Sequence, residues 1–333
     1  MASQDAQTVA HSGVILPGDK VLEPSPMAQL RRRVFGHYGI IIGGVVLFAI
    51  LLVAAFAPYL TPYHPILDQD LSNALKVPFW HCIVVEKSFW AAVFDGRSPF
   101  SWVEPAKFSW DHPLGTDLQG RDYLTRLIHG SRISLLIGFS AMLISGVIGT
   151  ALGVAAGYFG GRVDMVVNFI ITTRLSMPVV LVALAVVSLI GSSLWIVIWV
   201  LGLLIWDRFA VVMRSTTMQV RNLDYVAAAQ ACGCSTLRII MAEILPNVVN
   251  HLIVVATLEM AHAILLEAAL SFLGLGVQPP APSWGLMISE AKGMMFFDAW
   301  LIGIPGAALF ALILAINLLG DGVRDVTAPE NRN

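Results

Sequence analysis

Long apolar runs separated by short polar stretches dominate the chain from residue 38 onward. Each run is long enough for a helix to cross the ~30 Å hydrocarbon core of a bilayer. They predict six membrane-spanning helices, over residues 38–59, 133–157, 165–190, 194–213, 248–272 and 299–319. By contrast, residues 1–30 are polar and lack periodicity, which predicts a disordered tail.

Polar residues inside two of these runs mark candidate functional positions. In span three, Pro178 predicts a kink and Arg174 lies near mid-membrane. An arginine at that depth marks a functional site, unless it extends to the interface or pairs with a carboxylate of another helix. In span five, one side of the helix carries His251, Glu259, His262 and Glu267. This polar face favours a water-filled path over simple hydrogen bonding between helices.

Span two carries a stripe of small residues at every fourth position. The stripe consists of Ala141, Ser145, Gly149, Gly153 and Gly157. Because helices in lipid associate through close packing of such faces, the stripe predicts a tightly packed neighbouring helix.

Residues 61–131 separate the first two spans and are rich in aromatic side chains. These are Phe79, Trp80, Phe89, Trp90, Phe94, Phe100, Trp102, Phe108 and Trp110. Disordered linkers are poor in aromatic residues, so this segment is predicted to be folded or to lie at the membrane interface. A surface that binds a partner is an equally good interpretation.

Composition and charge agree with a membrane protein. Of the 333 residues, 57% are hydrophobic and 13% charged, whereas soluble domains carry about a quarter charged residues. The net charge of −2 excludes a large basic field for nucleic acid. Arginines, beginning with Arg31–Arg33, cluster in alternate connections, which predicts cytoplasmic N- and C-termini.

The three cysteines predict neither a disulfide framework nor a metal site. Cys82 is isolated, and Cys232 and Cys234 form a Cys-x-Cys pair without other ligands nearby. A soft metal would need more donors, so the pair is interpreted as two small residues in a joint between helices.

Residues 224–246 form a moderately polar insert that predicts two short helices. Asp224 is expected to cap the first helix, which contains the small residues Ala227 and Ala228. Gly233 is expected to break it. Ser235 would then cap a second helix that ends at Pro246.

This insert resembles the EAA loop of bacterial ABC-importer permeases. Gly233, Leu245 and Pro246 stand at the family's glycine and Leu-Pro positions. Three further runs resemble the dipeptide, oligopeptide and nickel branch of that family: HPLGTD at 112–117 with GRD at 120–122, GSRISL at 130–135, and EAALSFLGLG at 267–276. The resemblance implies an all-α fold of the type I ABC importer permease kind, with six transmembrane helices in the bacterial inner membrane.

The resemblance also implies partners and roles. It implies a second homologous permease subunit, two ATP-binding subunits that hold ATP and Mg, and an external solute-binding protein. It places ATPase coupling in a cytoplasmic loop, residues 214–246, at Asp224, Ala227, Ala228, Gly233, Arg238, Leu245 and Pro246. The predicted division of the chain is tail 1–30, first span 31–60, external segment 61–131, five-helix core 132–325 and tail 326–333.

The chain itself has no GxxxxGK[ST] loop, so it is not expected to bind a nucleotide triphosphate in the usual way. The resemblance implies that partner subunits hydrolyse ATP and that this subunit carries no cofactor. The resemblance alone favours import of di- or oligopeptides, with nickel chelates or another small solute as the alternative. An ion-coupled secondary transporter is disfavoured, because no internal repeat is evident, and an intramembrane enzyme is weaker still.

One residue departs from the family pattern. The glutamate of the EAA motif falls on Ala227, three residues after the Asp224 cap, where Glu would complete a capping box. Since Asp224 keeps an anion at that helix end, the helix and its docking are expected to survive.

Overall fold

The computed structural model describes residues 34–85, 100–102, 105 and 108–327, so the predicted tail 1–30 and Arg31–Arg33 lie outside them. The helices of this part are α1 (Tyr38–Ala55), α2 (Ala57–Leu60), α3 (Tyr123–Phe159), α4 (Gly161–Leu175), α5 (Val179–Ile190), α6 (Leu194–Leu204), α7 (Asp207–Arg221), α8 (Asp224–Ala231), α9 (Thr236–Arg238), α10 (Leu245–Phe272), α11 (Trp284–Ala291) and α12 (Trp300–Thr327). A π-helical segment, Ile239–Ile244, joins α9 to α10.

Within the described residues, five helical stretches are long and apolar enough to cross a membrane, and the bent pair of α4 and α5 makes a sixth. The central helix α3 packs against α7, α10 and α6, and α12 packs against α1 and α10. The mostly helical fold with up to six spans is confirmed.

The third span is broken rather than kinked. Helices α4 and α5 meet at 83° across residues 176–178, with Pro178 directly before α5. Because proline cannot donate a backbone hydrogen bond and clashes with the preceding turn, it ends α4 instead of bending a continuous helix. The prediction of one kinked helix over 165–190 is therefore wrong.

The fourth span extends further than its apolar run. After a break at Ile205 and Trp206, α7 continues to Arg221, and the two helices form one stretch of 28 residues. Asp207 and Arg208 therefore lie just after a break within the span. The loop predicted to begin at 214 begins at Asn222, since residues 214–221 are helical.

The small-residue stripe of α3 packs directly against α7, as predicted. A Cβ atom added at Gly149 would lie 2.4 Å from Phe209 Cβ, and one at Gly153 would lie 2.6 Å from the Ala210 carbonyl oxygen. At Gly157 the nearest atom would be the Arg214 carbonyl oxygen, at 2.7 Å. Any side chain at these three glycine positions would force α3 and α7 apart.

Helix α3 begins ten residues before the predicted start of span two at 133. Asp122 caps it, because its carboxylate accepts hydrogen bonds from Thr125 N at 2.7 Å and Thr125 Oγ1 at 2.6 Å. The predicted boundary between the external segment and the core, at 131/132, thus falls inside a helix. Because the first residues of α3 include polar motif residues, the apolar pattern does not show that the helix begins there.

The described part of the segment between α2 and α3 contains a two-stranded sheet and two short turns. Strands β1 (Ile83–Val85) and β2 (Phe100–Trp102) pair antiparallel, with Ile83 opposite Trp102. Short 3₁₀ turns, Leu71–Asn73 and Phe79–Cys82, precede them. Of the predicted aromatic set, Phe89, Trp90 and Phe94 lie outside the described residues.

Candidate functional site

The candidate coupling loop, residues 224–246, begins with the exposed helix α8. Val226 is fully buried, Ala229 is partly buried, and the other six residues of the helix are exposed. Asp224, Ala227 and Ala228 all belong to the exposed set. Helix α8 therefore exposes mostly small and polar side chains and buries one side chain fully, that of Val226.

Asp224 does not cap this helix. The N-cap residue is Leu223, with φ −82° and ψ 148°, and no side chain caps the free N–H groups. Asp224 is instead the first helical residue, where its carboxylate still favours the helix N-terminus electrostatically. Ala227 is consequently the fourth helical residue and not the third, so a glutamate there would not complete a capping box.

The joint after α8 depends on glycine, as predicted. Gly233 adopts φ +76°, a left-handed conformation that other residues rarely take. Cys234 N donates to the Ala229 carbonyl at 3.1 Å and closes the helix end. Ser235 occupies the N-cap position of α9, but its side chain makes no capping hydrogen bond.

The second half of the loop runs into span five without a stop. Leu245 and Pro246 form the first turn of α10, where a proline needs no backbone donor. The prediction that Pro246 ends the preceding helix is wrong. Residues Thr236–Phe272 form one helical stretch, with Arg238 exposed near its start.

A small apolar cluster fixes the loop to the bundle. Val226 packs together with Ile239, Ile244 and Val248 from the following stretch. The same cluster contains Val154 and Tyr158 of α3 and Met213 of α7. Movement of α8 would therefore be transmitted to α10 and to the tightly packed pair of α3 and α7.

Three of the predicted pathway residues line one polar cavity. The cavity has a volume of about 150 Å³ and is lined by Arg174, Leu175, Met177, Val179, Ile205, Asp207, Arg208, Glu259 and His262. It lies where the break between α4 and α5 meets the break between α6 and α7. The structure thus brings Arg174, Glu259 and His262 together on one cavity.

Glu259 is the buried anion of this cavity. Its side chain is 1% exposed, and its oxygen Oε1 lies 3.2 Å from Arg208 Nη1. The other oxygen, Oε2, lies 3.3 Å from His262 Nδ1. A buried carboxylate needs such partners, because an unpaired charge away from water is costly.

Arg174 is held by backbone carbonyls. Its guanidinium donates to the carbonyl oxygen of Met177 at 3.3 Å and to that of Leu204. Both acceptors stand at helix breaks, where carbonyls lack their usual helical donors. Across the described chain Arg174 forms no ion pair with a carboxylate.

Glu267 and His251 do not join this cavity. Glu267 is fully buried, and its Oε1 accepts from Ser271 Oγ at 2.7 Å and from Ser283 Oγ at 3.0 Å. Since Ser283 caps α11, Glu267 ties α10 to that helix. His251 is exposed nearer the loop end of α10.

Sequence reasoning missed a second charged group, at the start of α3. Asp117 Oδ2 lies 2.6 Å from Arg121 Nε and 2.7 Å from Arg126 Nη1. Glu290 Oε2 of α11 lies 3.2 Å from Arg121 Nη2 and 2.7 Å from Arg126 Nη2. We call these four residues the ion-pair latch. Asp117 and Arg121 belong to the HPLGTD and GRD runs, and Arg126 follows them closely. These runs were the only feature of the sequence that could have indicated the group.

Within the residues that the structure describes, no group of three or more His, Cys, Asp or Glu could hold a metal ion. Cys232 is exposed at the end of α8, and Cys234 packs against the apolar cluster around Val226.

Comparison with known proteins identifies the family. Residues 149–333 match the family described as the inner membrane component of binding-protein-dependent transport systems, and this is more than half of the chain. The chain belongs to this family. Residues 25–78 also match the N-terminal transmembrane domain of oligopeptide transport permease C.

Curated relatives of this permease match along nearly its whole length. It is 37% identical to the di/tripeptide transport system permease protein DppC of Pseudomonas aeruginosa, over 93% of this chain and 94% of the relative. It is 35% identical to the dipeptide transport system permease protein DppC of Haemophilus influenzae, over 88% and 90%. It is also 32% identical to the glutathione transport system permease protein GsiD of Pectobacterium atrosepticum, over 92% of each chain.

A solved structure supports the fold of the permease. A chain of the inward-facing MetNI methionine ABC transporter aligns with a TM-score of 0.51 and 20% identity, covering 62% of this chain and 98% of that one. The family match and the curated relatives show that the chain is a multi-pass inner-membrane permease of the ABC importer family.

Proposed function

We propose that this permease is one subunit of an ATP-driven importer of di- or oligopeptides. In this proposal it forms half of the translocation pathway and is not itself an enzyme. A second homologous permease subunit forms the other half, and an external solute-binding protein delivers the peptide. Two partner subunits bind ATP and Mg, hydrolyse the ATP and grip the coupling loop.

The observation that carries the coupling role is the exposure of α8. A helix that buries Val226 and exposes small residues on its other faces is suited to close approach by a second protein surface. Its single apolar attachment leads to α3, α7 and α10. Closure of the ATPase pair would thus shift the bundle between two packed arrangements, since close-packed cores do not deform continuously.

The peptide substrate is supported by the relatives. The proteins from Pseudomonas aeruginosa and Haemophilus influenzae are named as permeases for di/tripeptides and dipeptides, and both align over most of their length. Uptake of labelled dipeptide, glutathione and a nickel chelate by the complete transporter separates the candidate solutes. Uptake that persists without ATP and stops when ion gradients are collapsed would instead identify a secondary transporter.

Gly233→Pro tests the coupling role. Proline fixes φ near −65°, whereas Gly233 needs φ +76°. The variant should insert into the membrane normally and lose peptide-stimulated ATP hydrolysis in the reconstituted transporter.

Gly191→Pro is the matched control. Like Gly233, Gly191 is exposed and has a positive φ (+111°), and no atom lies within 4 Å of where a Cβ would stand. Unlike Gly233, it lies in the turn between α5 and α6. We expect Gly191→Pro to retain stimulated ATP hydrolysis. Equal loss in both variants, or full activity in Gly233→Pro, would contradict the coupling role of this loop.

A further inference from the structure

Two helix breaks open onto the same polar cavity. The break between α4 and α5 contributes Leu175 and Met177, and the break between α6 and α7 contributes Ile205. Helix α10 closes the cavity with Glu259 and His262. Breaks inside spans are tolerated where the irregular backbone faces protein or a water-filled cavity, which makes such places natural positions for a transported solute.

The charged residues of this cavity fall into two sets. Arg208, Glu259 and His262 satisfy one another through the 3.2 Å and 3.3 Å contacts. Arg174 and Asp207 are not matched in this way. Asp207 is 6% exposed and forms no hydrogen bond or ion pair through its side chain with any residue that the structure describes.

Arg174 has spare donors. A guanidinium carries five N–H donors, and only two contacts to carbonyls are made here. The Nε atom is buried and has no hydrogen-bond partner among the described residues. Because a buried donor without a partner is unfavourable, this atom indicates a ligand group that is absent from the isolated chain.

We propose that this cavity binds the two charged ends of a zwitterionic peptide, with Arg174 taking the carboxylate and Asp207 taking the ammonium group. The fork of a guanidinium matches a carboxylate with two hydrogen bonds. A carboxylate with free acceptor positions matches an ammonium group, which has three donors. Arg208, Glu259 and His262, which contact one another, form the adjoining wall. This inference rests on the proposed import of peptides.

The size of the cavity indicates a shared site. A volume of about 150 Å³ is below the ~300–1,000 Å³ typical of small-molecule sites. This chain therefore contributes the charged wall that binds the two ends of the peptide. The second permease subunit contributes the facing wall, so that the middle of the peptide and its side chains lie between the subunits.

The test compares three labelled peptides in the complete reconstituted transporter with its native binding protein: Ala-Ala, Ala-Ala amide and N-acetyl-Ala-Ala. The binding protein is the same in every assay, so a changed ratio between peptides reports on the permease. Arg174→Gln keeps donors for the two carbonyls and removes the charge. We expect it to lower the preference for Ala-Ala over its amide by roughly tenfold, as loss of a charge-assisted hydrogen bond would.

Asp207→Asn should have the complementary effect. We expect it to lower the preference for Ala-Ala over N-acetyl-Ala-Ala by roughly tenfold and to leave the preference against the amide unchanged. Arg174→Lys, which restores the charge, should recover part of the preference lost in Arg174→Gln. Ser176→Ala is the matched control, because Ser176 is exposed beside Arg174 and does not line the cavity.

The outcomes separate this inference from the proposed function. If the wild-type transporter takes up none of the peptides, the proposed function is wrong. If the wild type transports Ala-Ala but Arg174→Gln and Asp207→Asn slow all three peptides equally, the peptide-end site is wrong and peptide import stands. Co-purification of the partner subunits with each variant confirms that assembly is intact.

Discussion

The ion-pair latch at the start of α3 and the coupling loop at the other end of the same helix are held by opposite means. In the latch, Arg121 and Arg126 are 4% and 1% exposed and share two carboxylates. In the coupling loop, α8 is held by the burial of Val226 and has no side-chain cap. One end is fixed by paired buried charges, and the other by apolar packing around one fully buried side chain, Val226.

This difference indicates how motion could be divided along the bundle. Buried and multiply paired charges are costly to separate, so the latch resists opening. An exposed helix with few buried contacts belongs to the low-stability part of a structure. We infer that the latch fixes α11 against α3, while the coupling loop moves as the lever that the proposed function requires.

The largest effect is expected from breaking the latch with Arg126→Met. Methionine keeps the apolar stem but leaves Asp117 and Glu290 with Arg121 alone. Removing one partner of a buried ion pair costs about 3–5 kcal/mol, and we expect the lower value because Arg121 remains. Thermal unfolding of the purified transporter measures the loss.

Arg132→Met is the control for this prediction, since Arg132 is on the same helix and exposed. It should leave the unfolding temperature nearly unchanged. If Arg126→Met were equally mild, the latch would contribute little to stability, and the contrast with the coupling loop would disappear.

Much of the fold could be predicted from the sequence because lipid imposes a strong constraint. Apolar length located the spans, and the four-residue spacing of Gly149, Gly153 and Gly157 predicted the contact that α3 makes with α7. The breaks were harder to locate. Hydropathy does not give the 83° angle at Pro178, and the charged residues Asp207 and Arg208 after an apolar run look the same whether a helix ends there or only breaks.

The candidate sites were predicted in part for a similar reason. Arg174, Glu259 and His262 were identified because charge is rare in apolar runs, and the structure places all three on one cavity. Asp207 and Arg208 follow an apolar run directly, a pattern that favours a helix end over a break inside a span. Glu290 pairs with residues 164 and 169 positions away, and only the tertiary fold brings such residues together.

An intermediate effect is expected from removing the anchor of the coupling loop with Val226→Ala. Burial of a valine side chain stabilises a folded structure by roughly 1.5–3 kcal/mol. Alanine would remove most of this stabilisation, and the loss would fall on the packing of α8 against the bundle. We expect faster hydrogen exchange in α8 and weaker peptide-stimulated ATP hydrolysis, with little change in global unfolding.

Leu237→Ala is the matched control, because Leu237 belongs to the same loop and is 71% exposed. It removes a larger apolar side chain without emptying a packed site, so hydrogen exchange in α8 should not change. If Val226→Ala instead lowered the global unfolding temperature as much as Arg126→Met, the coupling loop would be part of the rigid core.

The smallest effect is expected from restoring the motif glutamate with Ala227→Glu. Residue 227 is exposed and is the fourth residue of α8, so a glutamate there cannot form a capping box with Asp224. Its favourable interaction with the helix N-terminus is at most about 0.3–1 kcal/mol, and Asp224 already supplies an anion. We expect both thermal unfolding and stimulated ATP hydrolysis to stay close to wild type.

Ala228→Glu separates the position from the charge, because residue 228 is the exposed neighbour in the same helix. If Ala227→Glu raised stimulated ATP hydrolysis several-fold while Ala228→Glu did not, the glutamate would act on the ATPase surface. Alanine at 227 would then weaken the grip on the coupling loop. If neither variant changes coupling, docking depends on the shape of α8 and on the Val226 anchor, and the contrast with the charge-dependent latch is complete.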